Sequence, residues 1–342
     1  MREIEVLDSI EKLKSMAGYK APLPNTHEEF FGRGKLLLSG EYFILEGAKG
    51  LALPTRVGQR MSVHYSQSFN PQLHWKSFDI YGNLWFECKF EFWQFNFAEG
   101  EEESPEQKFL QKLLRAVRKQ NHHFLRDDVD VVVETYIDFP FEWGLGSSST
   151  LIYNIAQWAY VSPFELHFNT TNGSGYDIAC AQSEQPIIFS NDEEGPSYST
   201  VNFDPSFKDQ LCLVHMNQKA KSYDAIQGIE NKRPFKPEDI QAINDLTDEV
   251  VNIHKLEDFE EWIVKHEKIV AQMLEEQRVK ERLFSDYWGE VKSLGAWGGD
   301  FVLVTTNKSF KETQEYFLNK GHNVIMPYSE LCLSPKKQET IQ

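Results

Sequence analysis

The sequence predicts an α+β fold of two lobes, and three observations carry that prediction. At 342 residues the chain is longer than one compact core usually serves. Strand and helix patterns are mixed without strict alternation, which argues for α+β layers rather than a doubly wound sheet. The second half reads as strand, long helices, strand, a layered unit in its own right. We divide the chain into an extension over 1–28, an N-terminal lobe over 29–190 and a C-terminal lobe over 191–342.

Taken in order, residues 1–28 read as a short helix and a proline-containing lead-in. Between 31 and 65, short apolar runs alternate with Gly and Pro, the mark of strands joined by turns. A second strand group, "LHWKSFDIYGNLWFECKFE", carries "YGN" at a hairpin turn. In "SPEQKFLQKLLRAVRKQ", Ser104 and Gln107 form a capping box and Pro105 suits the first turn. Leu110, Leu113, Leu114 and Val117 then repeat at helical spacing. "VDVVVETYID" places Val129, Val131, Val133, Thr135 and Ile137 on one face of a strand. Further on, "PEDIQAINDLTDEVVNI" and "LEDFEEWIVKHEKIVAQMLEEQ" are amphipathic helices, and "DFVLVTT" is a buried strand after the glycine cluster "LGAWGGD".

Composition narrows the function. An apolar fraction of 41% with 25 Phe, 13 Tyr and 8 Trp fits an ordered globular protein rather than a disordered one. A net charge of -17 makes the average surface repel polyanions, so we expect no nucleic-acid and no membrane partner. A small anionic ligand stays open, because a local site can be basic inside an acidic protein. Cys88, Cys180, Cys212 and Cys332 are widely separated, with no CxxC pair, so neither a zinc site nor a disulfide framework is expected. With no signal-like segment and no run of 18 apolar residues, the expected location is the cytoplasm.

The chemistry concentrates in "FEWGLGSSSTLIYN", residues 141–154. A strand, then Gly144, Leu145, Gly146 and three serines, then a helix is an arrangement that aims free backbone N–H groups at an anion. Two readings stand on these residues alone: a phosphate cradle, or a glycine-rich turn that starts a helix. No P-loop, dinucleotide fingerprint, nucleophile elbow or protein-kinase motif set fits. Two other residues bear on the choice. Lys35 directly precedes an apolar strand, an awkward place for an ammonium unless it faces an anion. Asp177 follows a Gly-Ser-Gly turn and precedes small apolar residues. A solvated strand-edge lysine and a helix-capping aspartate are their plainer readings.

Jointly these segments resemble the GHMP kinases, the superfamily named for galactokinase, homoserine kinase, mevalonate kinase and phosphomevalonate kinase. Its three motifs correspond to "GKLLLSGEYFILEGAKGLALP", "PFEWGLGSSST" and "GAWGGDFVLV", in the same order and spacing along about 300 residues. The resemblance implies a lobe like domain 2 of ribosomal protein S5 followed by a ferredoxin-like lobe. It also implies ATP and Mg²⁺ as cofactors and a small-molecule acceptor, in a monomer or homodimer. Pro140, Gly144, Leu145, Gly146, Ser147, Ser148 and Ser149 would wrap the triphosphate, with Ser147 or Ser148 touching phosphate or Mg²⁺. Gly295, Ala296, Gly298 and Gly299 would close the site beneath it, and Lys35 and Asp177 would face the acceptor. Three departures stand out: Trp297 replaces a Gly, Ser149 replaces a common Ala, and the acidic Mg²⁺ ligand has only Glu165 as its nearest counterpart.

Phosphoryl transfer asks mainly for positioning and charge neutralisation. Asp177 would orient the acceptor hydroxyl or take its proton, and Lys35 would offset charge on the transferring group. "GSGYDIA" and "GGD" lean toward a mevalonate-pathway acid as acceptor, mevalonate or phosphomevalonate. In "NQKAKSYDAI", Lys219, Lys221 and Ser222 would meet a carboxylate or phosphate, unless that stretch is a basic surface loop. The competing functions are a non-catalytic ligand-binding protein on the same scaffold and a decarboxylase of the diphosphomevalonate type.

Overall fold

A computed structural model describes residues 26–69, 71–97, 103–125, 129–217, 235–295, 297 and 299–335. The helix expected in the N-terminal extension, Lys219, Lys221, Ser222, Ala296 and Gly298 lie outside the described residues. The described chain falls into two compact units, one of 26–31, 60–137 and 152–171, the other of 32–59, 138–151 and 172–335.

In the first unit, β3 (Gln72–Phe78) pairs antiparallel with β4 (Leu84–Glu91) and parallel with β5 (Val129–Ile137). The β3–β4 hairpin closes on Asp79, whose Oδ1 accepts the N–H groups of Tyr81 at 2.9 Å and Asn83 at 2.8 Å. Parallel strands need a crossover, and helix α1 (Pro105–Gln120) provides it. Its start is the expected capping box: Ser104 Oγ accepts from Gln107 N, and Gln107 Oε1 accepts from Ser104 N. Leu110, Leu113, Leu114 and Val117 are buried, as their spacing predicts. The five alternate residues of β5 named above are buried as well. Trp158, in helix α2 (Ser147–Ala159), packs edge-on against Phe124 with ring centroids 4.7 Å apart. Its indole N–H donates to the Tyr65 hydroxyl at 2.7 Å, so the ring is buried without an orphaned donor.

The second unit carries the later part of β1 (His27–Leu37) and the first part of β2 (Gly50–Gln67). The short strands expected between 31 and 65 are corrected here: β2 is one strand of 18 residues running through Pro54 and Gly58. Proline is tolerated because only its carbonyl is needed, accepting from Leu333 N at 3.1 Å. The Gly58 carbonyl accepts from Asp138 N at 2.9 Å. "FILE" is likewise a 3-10 turn, Phe43–Glu46, rather than a strand. β2 pairs with β6 (Ile187–Asp192), and β6 with β7 (Gly195–Thr200), all antiparallel. A separate antiparallel sheet has the order β11 (Ile325–Pro327), β8 (Leu211–His215), β10 (Phe301–Thr305), β9 (Val291–Leu294). Every residue of β8, β9 and β10 is buried. The two predicted amphipathic helices are α5 (Pro237–Val250) and α6 (Leu256–Leu274), tied by the Trp262 indole N–H donating to Leu246 O at 2.8 Å. In chain order α3 (Pro163–Thr170) and α4 (Tyr176–Ala181) precede these helices, and α7 (Val279–Leu283), α8 (Phe310–Asn319) and α9 (Tyr328–Leu331) follow them.

Between α6, β9 and the turn after β1 lies a fully buried charge cluster. Lys292 Nζ donates to Glu41 Oε1, to Glu267 Oε1 at 3.1 Å and to the Ser293 carbonyl at 2.8 Å. His266 Nε2 accepts the Gly40 N–H at 3.2 Å and lies 3.3 Å from Glu41 Oε2. Among the described residues, Glu41 Oε2, Glu267 Oε2 and His266 Nδ1 have no hydrogen-bond partner. Burial raises Glu41 to about 7 against the pull of Lys292. Burial also raises Glu267, and together with the charge of Lys292 it pushes His266 well below 6.5.

The pH dependence follows from these directions. A carboxyl whose folded value lies above its unfolded one stabilises the fold when protonated, and that contribution disappears as pH rises through the folded value. A histidine with a depressed value does the reverse, contributing above its ordinary range and losing that contribution as pH falls. The two effects oppose each other on the acid side, while the raised carboxyls govern the slope near neutrality, Glu41 with its value of about 7 among them. Stability should therefore decline from about pH 6.5 to about pH 8, and Glu41→Gln should flatten the decline. Unfolding midpoints at half-unit pH steps check this; an unchanged slope in the variant contradicts it.

Candidate functional site

The candidate site is built wholly within the second unit. β1 delivers Lys35, whose backbone N–H donates to Leu145 O at 3.0 Å and so joins the strand to the glycine loop. The loop starts at Pro140, whose carbonyl accepts Trp143 N at 3.0 Å in a 3-10 turn, Phe141–Trp143. Trp143 stands edge-on to Phe301 with centroids 5.6 Å apart. His215 Nε2 lies 3.1 Å from the Glu142 carbonyl, so two strands of the second sheet hold the loop.

Gly144 and Gly146 both have positive φ, +64° and +89°, a region that favours glycine. They also lack side chains for a steric reason. A Cβ on Gly146 would come within 3.2 Å of Lys35 Cγ, and one on Gly144 within 1.8 Å of Asp300 Oδ2. The lysine stem and the Asp300 carboxylate therefore lie directly against the loop backbone, on either side of the buried Leu145. Gly144→Ala should displace Asp300 and strain the turn, lowering stability by about 1–3 kcal/mol. Chemical denaturation measures the loss; a midpoint equal to that of the unchanged chain contradicts the packing described.

Helix α2 opens at Ser147. Successive residues turn by about 100°, and the three serines diverge accordingly: Ser147 is half-buried, Ser148 exposed and Ser149 buried. The amino end of the helix thus reaches solvent at Ser148, where first-turn N–H groups lack intrahelical acceptors. Ser149 turns inward and its hydroxyl donates to Asp177 Oδ2 at 2.5 Å. Asp177 lies in the first turn of α4, entered through Gly175 at φ +92°, and its Oδ1 accepts the Ile178 N–H at 3.1 Å.

Lys35, Tyr176, Asp177 and Asp300 form one electrostatic group. Burial pulls the Lys35 ammonium down, but Tyr176, Asp177 and Asp300 outweigh it and hold the amine above the ordinary lysine value. Its Nζ lies 5.7 Å from the centre of the Tyr176 ring. Burial raises the Tyr176 phenol to about 12, despite the lowering by Lys35, so the ring carries a neutral hydroxyl at physiological pH. The structure thus brings Lys35, Gly144, Leu145, Gly146, Ser149 and Asp177 together. Gly295, at φ +68°, ends β9, and Gly299 is buried next to Asp300. Glu165 belongs to the first unit, exposed in the first turn of α3, where its backbone N–H donates to Ser162 Oγ at 3.3 Å.

Sequence reasoning missed three residues. Asp300 and Tyr176 are inside the quoted motifs "GGD" and "GSGYDIA", but nothing local to those motifs shows that both face Lys35. Tyr42, at φ +65°, accepts the Trp297 N–H on its hydroxyl at 2.6 Å. The Trp297 ring packs against two buried apolar clusters, one including Val291 and Val302 and the other Tyr42 and Val270, and its indole N–H donates to Gln277 O at 3.3 Å. Tryptophan at this position ties the third-motif turn down.

A Mg²⁺ shared with substrate phosphates is usually held by one or two carboxylates; Ser148, exposed at the helix amino end, offers a hydroxyl oxygen there. No group of three or more His, Cys, Asp or Glu able to hold a metal occurs among the described residues. No helix among them is long and apolar enough to cross a membrane.

No protein-family model and no curated protein matches the sequence. Solved structures do match. Mevalonate kinase from Methanococcus jannaschii is 12% identical with a TM-score of 0.66, over 91% of this chain and 99% of that one. Phosphomevalonate kinase from Streptococcus pneumoniae, in complex with phosphomevalonate and AMPPNP, is 18% identical with a TM-score of 0.63, over 87% and 99%. Galactokinase from Lactococcus lactis, complexed with galactose, is 11% identical with a TM-score of 0.58, over 92% and 93%. All three are GHMP kinases, and the chain has the GHMP-kinase fold, mixed α+β as the sequence predicts.

Proposed function

We propose that this chain is a GHMP-type small-molecule kinase that transfers the γ-phosphoryl group of ATP to a hydroxyl or phosphate oxygen of an acceptor, with mevalonate or phosphomevalonate the leading choices. The observation that carries the reading is the Ser149–Asp177 contact. It puts a carboxylate in the first turn of α4 beside the helix whose exposed amino end suits a polyphosphate, with Lys35 next to both. The AMPPNP in the pneumococcal neighbour supports ATP as donor.

In the proposed reaction the acceptor hydroxyl gives its proton to Asp177 Oδ1 or Oδ2 while its oxygen bonds to the γ-phosphorus. The bond from that phosphorus to the β,γ-bridging oxygen breaks, and ADP leaves. Lys35 offsets charge on the transferring group, and the N–H groups of 147–149 hold the phosphates. Ser148 would hold Mg²⁺, which supplies neutralisation of phosphate charge. Lys219, Lys221 and Ser222 are proposed to meet the acceptor's acidic group.

An ADP-release screen over mevalonate, phosphomevalonate, diphosphomevalonate, homoserine and galactose tests this. Acceptor-dependent release with either of the first two is expected. CO₂ release with diphosphomevalonate would make the chain a decarboxylase, and ATP binding without turnover on any acceptor would make it a ligand-binding protein.

A further inference from the structure

We infer that Ser149 is a positioning residue that holds the Asp177 carboxylate in one orientation through its hydroxyl. The inference rests on the kinase reading for its consequence in catalysis, and on the geometry alone for the contact itself. The resemblance implies a common Ala at this position, and Ser149 departs from it.

Ser149 is the third residue of α2, where a serine hydroxyl can bond back to a backbone carbonyl of its own helix start. Here it does not: its hydroxyl crosses 28 residues of sequence to Asp177 Oδ2 at 2.5 Å, in a buried setting with 5% of the serine exposed. The next residue takes the local role instead, Thr150 Oγ1 donating to Ser147 O at 2.8 Å. With Ile178 N–H on Oδ1, each oxygen of Asp177 has one fixed donor. A carboxylate has about four lone-pair sites, so each oxygen keeps one for an acceptor hydroxyl. Without Ser149, Oδ2 loses its only fixed hydrogen bond among the described residues, and the side chain is free to swing toward the Lys35 ammonium and close an ion pair. The hydroxyl therefore keeps two opposite charges adjacent but separately available.

The charged and titratable groups around Asp177 are Lys35 from β1, Tyr176 and Cys180 from α4, and Asp300 beyond Lys35. None of them changes in the test. Ser149→Ala removes the donor, Ser149→Cys keeps near-serine size with a weak donor, and Ser149→Thr restores a hydroxyl. A donor to the ionised carboxylate favours that form, so its loss favours the proton. In Ser149→Ala the acid limb of the kcat/KM profile should move up by about one pH unit, the scale of one charge-assisted hydrogen bond. The value of kcat should fall about tenfold with KM for ATP within about twofold. Ser149→Cys should show part of the shift and Ser149→Thr little of it.

Carboxyl-carbon NMR titration of Asp177 in the same variants reads the contact without turnover. A midpoint that moves up in Ser149→Ala supports the inference even if the unchanged chain phosphorylates nothing, an outcome that removes the kinase reading alone. If Ser149→Ala does not fold, Ser149→Cys supplies the same comparison. Folded variants whose midpoint and acid limb both stay in place overturn the inference.

Discussion

Replacing Asp177 with asparagine is expected to lower kcat by about 10²–10⁴-fold if the carboxylate takes the acceptor's proton, and by less if it only orients the hydroxyl. The substitution is well suited to separate chemistry from folding. Asparagine has the same shape, its carbonyl oxygen can still accept from Ser149, and Lys35 keeps Tyr176 and Asp300 as neighbours. The KM for ATP should change little, because the loop and helix end assigned to the phosphates are untouched. Full turnover in the variant, with the fold intact, would remove Asp177 from the chemistry.

The largest stability effect belongs to Lys292. Its ammonium is the one cation touching both Glu41 and Glu267 among the described residues, and all three side chains are excluded from solvent. Removing one partner of a buried pair leaves uncompensated charge, and Lys292→Met should cost about 3–5 kcal/mol. Glu41→Gln should cost less, since it leaves the Lys292–Glu267 pair whole. Denaturant unfolding of both variants measures the difference. A Lys292→Met loss below about 1 kcal/mol would show that the carboxyls adapt by taking up protons. The cluster matters to the site because its members carry the turns around it: Glu41 and Gly40 follow β1, and Lys292 lies three residues before Gly295.

What was legible in the sequence had local causes. The capping box of α1 and the alternation in β5 depend on residues a few positions apart, so period and spacing reveal them. The glycine loop was legible because positive φ needs glycine whatever surrounds it. The continuity of β2 was not, because Pro54 reads as a break until Leu333 is found donating to its carbonyl. Nor was the charge cluster, whose contacts join Lys292 to Glu41 across 251 residues and His266 to Gly40 across 226. At the site itself, Lys35 and Asp177 stood out as polar residues at the edges of apolar segments. Asp300 and Tyr176 read as ordinary members of a glycine turn and a helix start, and only their approach to Lys35 gives them a role. Ser149 read as a mild exchange for alanine, because the direction of a helical side chain depends on the element packed beside it.

The most direct measurement is ³¹P NMR of the chain incubated with Mg²⁺, ATP and either mevalonate or phosphomevalonate. The account predicts a new phosphoryl resonance on the acceptor, appearing in step with ADP and without free phosphate. ATP that stays intact with every acceptor, or that yields only inorganic phosphate at a rate unaffected by Asp177→Asn, would contradict it.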